Sequence, residues 1–576
     1  MSKDSLIRGT VILAVAALLA RMLGLVQRMP LQYMLGDSGL ATFSIAFTIY
    51  TVLLIIATAG IPSALSKLVS ERVELGQFQE ANRIYRAALI FATIAGIVMT
   101  LLLYAAAPWY ARWAGDEMAA LSIRALAPAL LLFPLIAMMR GYFQGRQQMM
   151  PNGISQVIEQ IMRLVTAIGL TYLLLSLGWG EVWAVAGASF GGVMGSVGAI
   201  AVLIYYYMRL RRKDRQSGIN QFRSTSTSTS NTTLIPTSNA GMVTFPTLKY
   251  KEIYTTIFRI SFPIALFSMA VPLIYLIDAS TIIPFLMDQI GHGAAKEWLG
   301  ILTGRAQTFA GIPIILAIAL SQSIVPIISS AYARQDLNQV KMQAAKALQL
   351  SILSGLPMIL FIVLAARHLN QFVFTDALLE YLPVGSGNDL IAYLTITTIF
   401  QILMQVSGAI LMGLGQMRPL IVHVFIGIAV KVVASLLLAP YLGIYGFVVS
   451  SALCFIVMMA LNLRTLHKLV AFQILRRQQW YGLVLSTFVI CVVGLLAEQW
   501  GHEYLTIFPF KLWLDDLINV LVIGFLVLCL YPALLLVTRV VTKEDIAGFP
   551  APVRKLITRI AAVIKRKPEK DTQSGL

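Results

Sequence analysis

The chain has 576 residues, of which 58% are hydrophobic and 12% charged, with a mean hydropathy of +0.79. Soluble globular domains carry about 25% charged residues, so these values exclude that class and leave an all-α polytopic membrane protein. The net charge of +18 does not point to nucleic acid, because the basic residues stand in short clusters between apolar runs and in the tails, where they report topology.

Apolar runs of ~20 residues, enough to cross a bilayer, recur fourteen times. They lie near 9–29, 43–66, 87–107, 120–139, 153–177, 182–207, 253–286, 301–330, 344–365, 389–412, 419–440, 442–463, 480–499 and 517–538. The first has no small-residue cleavage site and reads as a retained helix. It closes on Arg21-Met-Leu-Gly-Leu-Val-Gln-Arg28. Each arginine costs roughly 2.5–3.5 kcal/mol at a membrane helix centre on insertion scales, and cations held there turn toward a cavity that an anion visits. The alternative for Arg28, beside Pro30, is snorkelling to the headgroups.

With the N-terminus inside, most of the 44 Lys and Arg fall on inner loops and the C-terminal tail, whereas the outer loops hold only Arg112, Lys296, Arg367 and Lys511. Both termini are therefore expected in the cytoplasm. Residues 208–252 form the one long polar linker, from Arg209-Leu-Arg-Arg-Lys213 into a Ser/Thr run at 224–230, and such a tract is expected to be disordered. The expected organisation is a six-helix bundle over 1–207, the linker over 208–252, a second six-helix bundle over 253–466, two extra helices over 467–540 and a basic cytoplasmic tail over 541–576.

The halves repeat. Gly145-Arg-Gln-Gln-Met-Met-Pro151 returns as Gly413-Leu-Gly-Gln-Met-Arg-Pro419, a G-x-x-Q-M-x-P loop with Gly145, Gln148 and Pro151 matched by Gly413, Gln416 and Pro419. A basic residue, Arg163 or Lys431, follows each proline by about 18 Å of helix at 1.5 Å per residue, near mid-membrane. A weaker echo relates Pro62-Ser-Ala-Leu-Ser66 to Pro326-Ile-Ile-Ser-Ser330. With an even number of helices per half, the repeats are parallel, as in transporters whose halves rock around a central site.

Glu159 and Arg163 stand one helical turn apart and can neutralise each other. The repeat places Arg163 and Lys431 near the repeat axis. Asp278 in the seventh run pairs with Arg305 in the eighth or binds a coupling cation; the sequence leaves both open. Arg124 and Arg259 lie close enough to helix ends to snorkel. The cationic surplus of Arg21, Arg28, Arg163, Arg305 and Lys431 suits a diphosphate, which arginine's planar fork grips with paired charge-assisted bonds. Cys454, Cys491 and Cys529 have no pairing or ligand spacing, so no disulfide or metal site is expected.

Fourteen helices, the G-x-x-Q-M-x-P loops, Arg21-Met-Leu-Gly-Leu with Pro30-Leu-Gln-Tyr-Met-Leu-Gly36-Asp37, and Ala59-Gly-Ile-Pro-Ser-Ala-Leu-Ser-Lys-Leu-Val-Ser-Glu71 together resemble the polysaccharide-transport branch of the multidrug/oligosaccharidyl-lipid/polysaccharide exporter superfamily. Within it the chain is most similar to the stage V sporulation protein B-like and lipid II flippase (MurJ) proteins. The resemblance implies an alternating-access flippase that moves an undecaprenyl-diphosphate-linked sugar precursor, lipid II, from the inner to the outer leaflet for peptidoglycan synthesis, with the cell-wall synthesis machinery as a partner.

In that family, arginines of the first, second and eighth helices line the cavity. Arg21 matches the first, Arg28 lies one residue from the next, and Arg305 in Gly304-Arg-Ala-Gln307 resembles the eighth-helix arginine, but residues 43–66 hold none. Asp37 resembles an acidic position after the first helix, and the two extra helices would border a groove for the lipid tail. No nucleotide-binding motif is present, so no cofactor is expected, and the membrane potential or a coupling cation would drive transport. The competing readings are a flippase for another lipid-linked polysaccharide, a cation-coupled drug exporter, a scaffold, and a membrane glycosyl or acyl transferase. The last would need an outer-loop constellation among His292, His368, His502-Glu503 and Asp515-Asp516, which read as solvated charges.

Overall fold

The computed structural model describes residues 3–58, 60–75, 77–227, 250–374, 387–504 and 512–541. These are helical without strands. Helix α1, Lys3–Thr58, joins the first two expected spans and is broken at Gly36, whose φ of 64° and ψ of −174° are open to glycine alone. Gly60, with a φ of 76°, precedes α2, Ile61–Glu74, which completes the second span. The third span is α3, Phe78–Trp113, and the fourth is α4, Ala119–Leu126, with α5, Ala129–Gly145. Helix α6, Met150–Ser176, and α7, Glu181–Thr227, are the fifth and sixth.

The seventh span is α8, Tyr250–Ser268, continued by α9, Ala270–Ile290. Pro272 lies just past the break and has no N–H to return to Ser268. The eighth is α10, His292–Gly300, then a π-helical turn, Ile301–Ala306, then α11, Gln307–Ala333. Next come α12, Leu337–Leu364, the short α13, Ala366–Val373, and α14, Asn388–Gly413. The chain closes with α15, Met417–Leu442, α16, Ile444–Leu469, α17, Arg477–Tyr504, and α18, Leu512–Val537. Among the described residues 13 helical stretches are long and apolar enough to cross a membrane, one of them Met22–Val73; dividing that stretch at Gly36 gives fourteen spans.

The packing is that of a lipid-solvated protein. Phe525, Leu437 and Val165 are 60% or more exposed, whereas Ser196, Thr171, Asn152 and Ser450 are fully buried. Small residues let the helices meet closely: a Cβ on Gly191 or Gly195 of α7 would lie within 2.8 Å of the Arg163 or Glu159 carbonyl of α6.

The chain forms two compact units, Met1–Pro284 and Phe285–Leu576. That boundary falls inside α9, not in the linker. Within the first unit α8 packs on α2 and α3: the Gly60 Cβ position lies 2.8 Å from Ser261 Cα, and Tyr254 Oη donates to the Ala87 carbonyl at 3.3 Å. The linker also begins later than expected. Helix α7 continues through the basic cluster to Thr227, because Arg, Lys and Gln are good helix formers and no proline interrupts them; Asp214 on this extension is bonded by Arg146 at 2.7 Å. Residues 228–249 and the tail from 542 lie outside the described residues.

The loop repeat is reproduced bond for bond. Gln148 N–H donates to the Phe143 carbonyl at 2.8 Å, and Gln416 N–H to the Leu411 carbonyl at 2.9 Å. The residue before each glutamine is left-handed, Gln147 at φ 58° and Gly415 at φ 72°, which is the six-to-one closure of a helix C-terminus. Pro151 and Pro419 then sit in the first turns of α6 and α15. Gly145 and Gly413 are needed for space, as a Cβ would meet Ser66 and Val69 of α2 in one copy and Val325 and Ile328 of α11 in the other. These contacts equate Ser66 with Val325, so the Pro62 and Pro326 echo is out of structural register. Its small and proline residues recur for their general place in membrane helices.

Candidate functional site

In the first unit the buried charges gather on α5 and α6. Glu159 Oε2 accepts from Arg140 Nη2 at 2.9 Å, and Glu159 Oε1 lies 3.4 Å from Arg163 Nη2. Arg140 Nε also donates to Ser155 Oγ at 2.9 Å, and Asn152 Nδ2 donates to the Arg140 carbonyl at 3.0 Å. The Arg163 guanidinium stands 5.9 Å from the Phe133 ring centroid. One carboxylate therefore serves two arginines, leaving one net positive charge.

Arg140 was outside the expected site because it follows the fourth apolar run by one residue and reads as a headgroup-level cation. The tight loop after Gly145 returns the chain from α5 into α6, and the bonds of Arg140 to Ser155 and Glu159 and of Asn152 to the Arg140 carbonyl tie the end of α5 to α6. No spacing rule signals this contact.

Arg28 is half-buried on α1 and interacts electrostatically with Tyr275 of α9. Asp278, one turn further along α9, is 4% exposed. Arg21 also lies on α1, but its side chain lies outside the described residues. Asp37 is buried and accepts from Gln32 Nε2 at 2.6 Å. Of the two expected snorkellers, Arg259 is exposed, and Arg124 lies 5.2 Å from the Tyr104 ring centroid.

In the second unit Arg305 occupies the π-helical turn, a local widening frequent at functional sites. It is 3% exposed, with Nη1 at 3.5 Å from Asn370 Oδ1 and its guanidinium 5.7 Å from the Phe374 ring centroid. Asn370 Nδ2 in turn donates to Asn388 Oδ1 at 2.8 Å. This amide pair from α13 and α14 was not anticipated, since neither asparagine belongs to a motif.

Lys431 requires a correction. It is fully buried, and its Nζ donates to the Phe447 carbonyl at 2.9 Å, Ser450 Oγ at 2.9 Å and Ser451 Oγ at 2.8 Å. An ammonium has three N–H bonds, and α16 takes all three, so Lys431 has none left for a phosphate. His368 and Asp516 are likewise not simply solvated loop charges. His368 Nδ1 lies 2.8 Å from Asp516 Oδ1, both mostly buried, and the pair ties α13 to α18. His502, Glu503 and the tip of that outer connection lie outside the described residues or their side chains.

A family model described as polysaccharide biosynthesis protein matches residues 6–332, and one described as lipid II flippase MurJ matches residues 305–514. The lipid II flippase MurJ of Bacillus subtilis (strain 168) is 28% identical over 509 residues, covering 86% of this chain and 89% of the relative. Stage V sporulation protein B of the same organism is 25% identical, over 97% of this chain and all of the relative.

Among solved structures, lipid II flippase MurJ in an inward closed conformation superposes with a TM-score of 0.61 at 13% identity, covering 93% of this chain and 100% of that one. An inward-facing multidrug resistance MATE family transporter superposes at 0.59 and 15% identity, covering 80% and 98%. The family models and relatives define a multi-pass membrane transporter, not an enzyme. The chain belongs to the polysaccharide biosynthesis protein family, in the polysaccharide-transport branch of the multidrug/oligosaccharidyl-lipid/polysaccharide exporter superfamily.

Proposed function

We propose that this chain is an alternating-access flippase of the plasma membrane, with both termini cytoplasmic, that carries undecaprenyl-diphosphate-linked lipid II from the inner to the outer leaflet for peptidoglycan synthesis. The observation that carries the reading is the set of arginines placed inside the helical units. Arg140 and Arg163 share the single carboxylate of Glu159 in the first unit, Arg28 stands half-buried on α1, and Arg305 is buried in the π-helical turn of the second. Such an interior suits an anionic cargo and does not suit a cationic drug, for which carboxylates and aromatics would be the natural lining.

The resemblance implies diphosphate contacts for Arg21, Arg28 and Arg305, while the isoprenoid tail stays in lipid. Arginine stays ionised throughout, so the grip does not depend on a protonation step. Moving a negative charge toward the positive outside is favoured by about 2.3 kcal/mol per charge per 100 mV. Helices α17 and α18 guide the tail.

A second reading, a flippase for another lipid-linked glycan, is favoured by one observation: the family model described as polysaccharide biosynthesis protein matches residues 6–332. Complementation separates the two. In cells depleted of lipid II flippases, wild type is expected to restore lipid II on the outer leaflet, while well-expressed Arg28→Ala and Arg305→Ala are not. Failure of a folded, inserted wild type would favour the other glycan, and full activity in both variants would remove the arginines from the mechanism.

A further inference from the structure

The seam between α15 and α16 is polar along much of its length, although it is buried. Lys431 is at its centre. Beyond it toward the outer end of α15, Ser450 Oγ, which accepts from Lys431 Nζ, lies 2.8 Å from Ser435 Oγ. Ser435 is one turn from Lys431 on the same face. Toward the inner end the seam is blocked at Gly427, where a Cβ would overlap Met458 Cγ and lie 3.3 Å from Cys454 Sγ.

One turn further in, hydrogen bonding resumes. His423 Nδ1 lies 2.8 Å from Asn462 Oδ1, His423 Nε2 lies 3.4 Å from Thr465 Oγ1, and Asn462 Nδ2 reaches Ser407 Oγ at 3.3 Å. From His423 to Ser435 is about 18 Å of helix at 1.5 Å per residue, more than half of the ~30 Å hydrocarbon thickness.

A structural role alone accounts poorly for this arrangement. The two helices already meet closely where the Gly446 Cβ position lies 2.7–2.8 Å from the Leu438 and Ala439 backbone. A buried ion is costlier than an apolar residue of the same size. What lysine offers, and arginine does not, is exchange between charged and neutral forms; what hydroxyls offer is donation and acceptance at one atom, so that a chain of them hands a proton along.

We infer that Lys431 is a proton-binding site of the transport cycle, connected to the outer side through Ser450 and Ser435 and to the inner side through His423, with the Gly427–Met458 contact as the barrier between the two paths. The inference rests on the transporter reading and names the coupling ion. In the outward step a Lys431 N–H passes its proton to Ser450 Oγ, Ser450 passes its own to Ser435 Oγ, and Ser435 releases one to solvent. The amine is left neutral, and one positive charge has moved. Loosening of the Met458 contact then lets the inner path reload the amine.

Cys454 and His423 are the other titratable groups buried in the seam. Asp389 and Tyr393 of α14, Arg418 and Tyr441 of α15, and Arg464, His467 and Lys468 of α16 are exposed toward the helix ends, and Tyr445 is half-buried.

The test uses the full chain in liposomes that contain fluorescent lipid II and an internal pH dye, with a pH gradient imposed. Two signals are read: the fraction of lipid II reached by an external quencher, and the internal pH. Wild type is expected to move protons together with lipid II. Lys431→Met and Lys431→Arg should both lose the proton signal, and Ser435→Ala should slow it, each with a melting curve to show that it is folded.

Lipid II movement by wild type without any pH change overturns the inference, as does a Lys431→Arg variant with wild-type proton movement, which would mark a merely structural cation. Proton movement that depends on Lys431 but occurs without lipid II movement overturns the lipid II reading and leaves the proton site standing. A folded wild type that moves neither overturns both.

Discussion

Glu159 holds two arginines with one carboxylate, and its side chain is 7% exposed. Glu159→Gln leaves two buried cations without a counter-charge, and removing one partner of such a group is expected to cost about 3–5 kcal/mol. Thermal unfolding in detergent measures it. Removing Arg140 as well, by Arg140→Met, should recover part of the loss, because the two substitutions act on one network and do not add; simple additivity would mean that Arg140 does not oppose the carboxylate. Arg28 and Arg305 are a different case: their substitution is expected to spare folding and remove lipid II exposure. Of these relations, the i, i+4 pairing of Glu159 with Arg163 is legible from helical spacing. The Arg140 contact is not, since it spans a loop and depends on how closely α5 meets α6.

Between elements, the two G-x-x-Q-M-x-P loops set where one helix ends and the next begins. Gly145→Val places a Cβ 2.8 Å from the Ser66 carbonyl oxygen and is expected to destabilise the first unit by about 1–3 kcal/mol through overpacking. Gly413→Val should do the same to the second unit through Ile328. Comparable melting losses from the two would reflect the repeat, whereas a silent variant would mean that its helix pair separates freely.

The His368–Asp516 pair makes a second prediction at this scale. Asp516→Ala leaves a buried imidazole nitrogen without its partner, at about 1–3 kcal/mol, and should speed hydrogen exchange in α13 and α18 while leaving α15 and α16 unchanged. The loops could be read from the chain because each is a local motif that occurs twice. The histidine pair could not, because its members are far apart in sequence and each looks like an ordinary loop charge.

For the whole molecule, the distribution of Lys and Arg predicts which ends of the spans face the cytoplasm. In a variant lacking Cys454, Cys491 and Cys529, a cysteine at exposed Ser176 should react with an impermeant maleimide added outside, and one at exposed Asn338 only after the membrane is opened. The reverse pattern would invert the topology. Membrane class, the fourteen spans and the repeated loops follow from the sequence by itself, because hydropathy and turn chemistry act over one helix or one loop at a time. Tertiary structure alone decided that the first helical run breaks at Gly36, that the seventh span packs with the first six as far as Pro284, and that Arg305 meets Asn370. It also decided that the three N–H bonds of Lys431 are spent on α16. For Arg305 and Lys431 the physical reason is the same. Long side chains in lipid must find partners inside the protein, and which partner lies within hydrogen-bond reach depends on helix approach distances set by small residues far away in the chain.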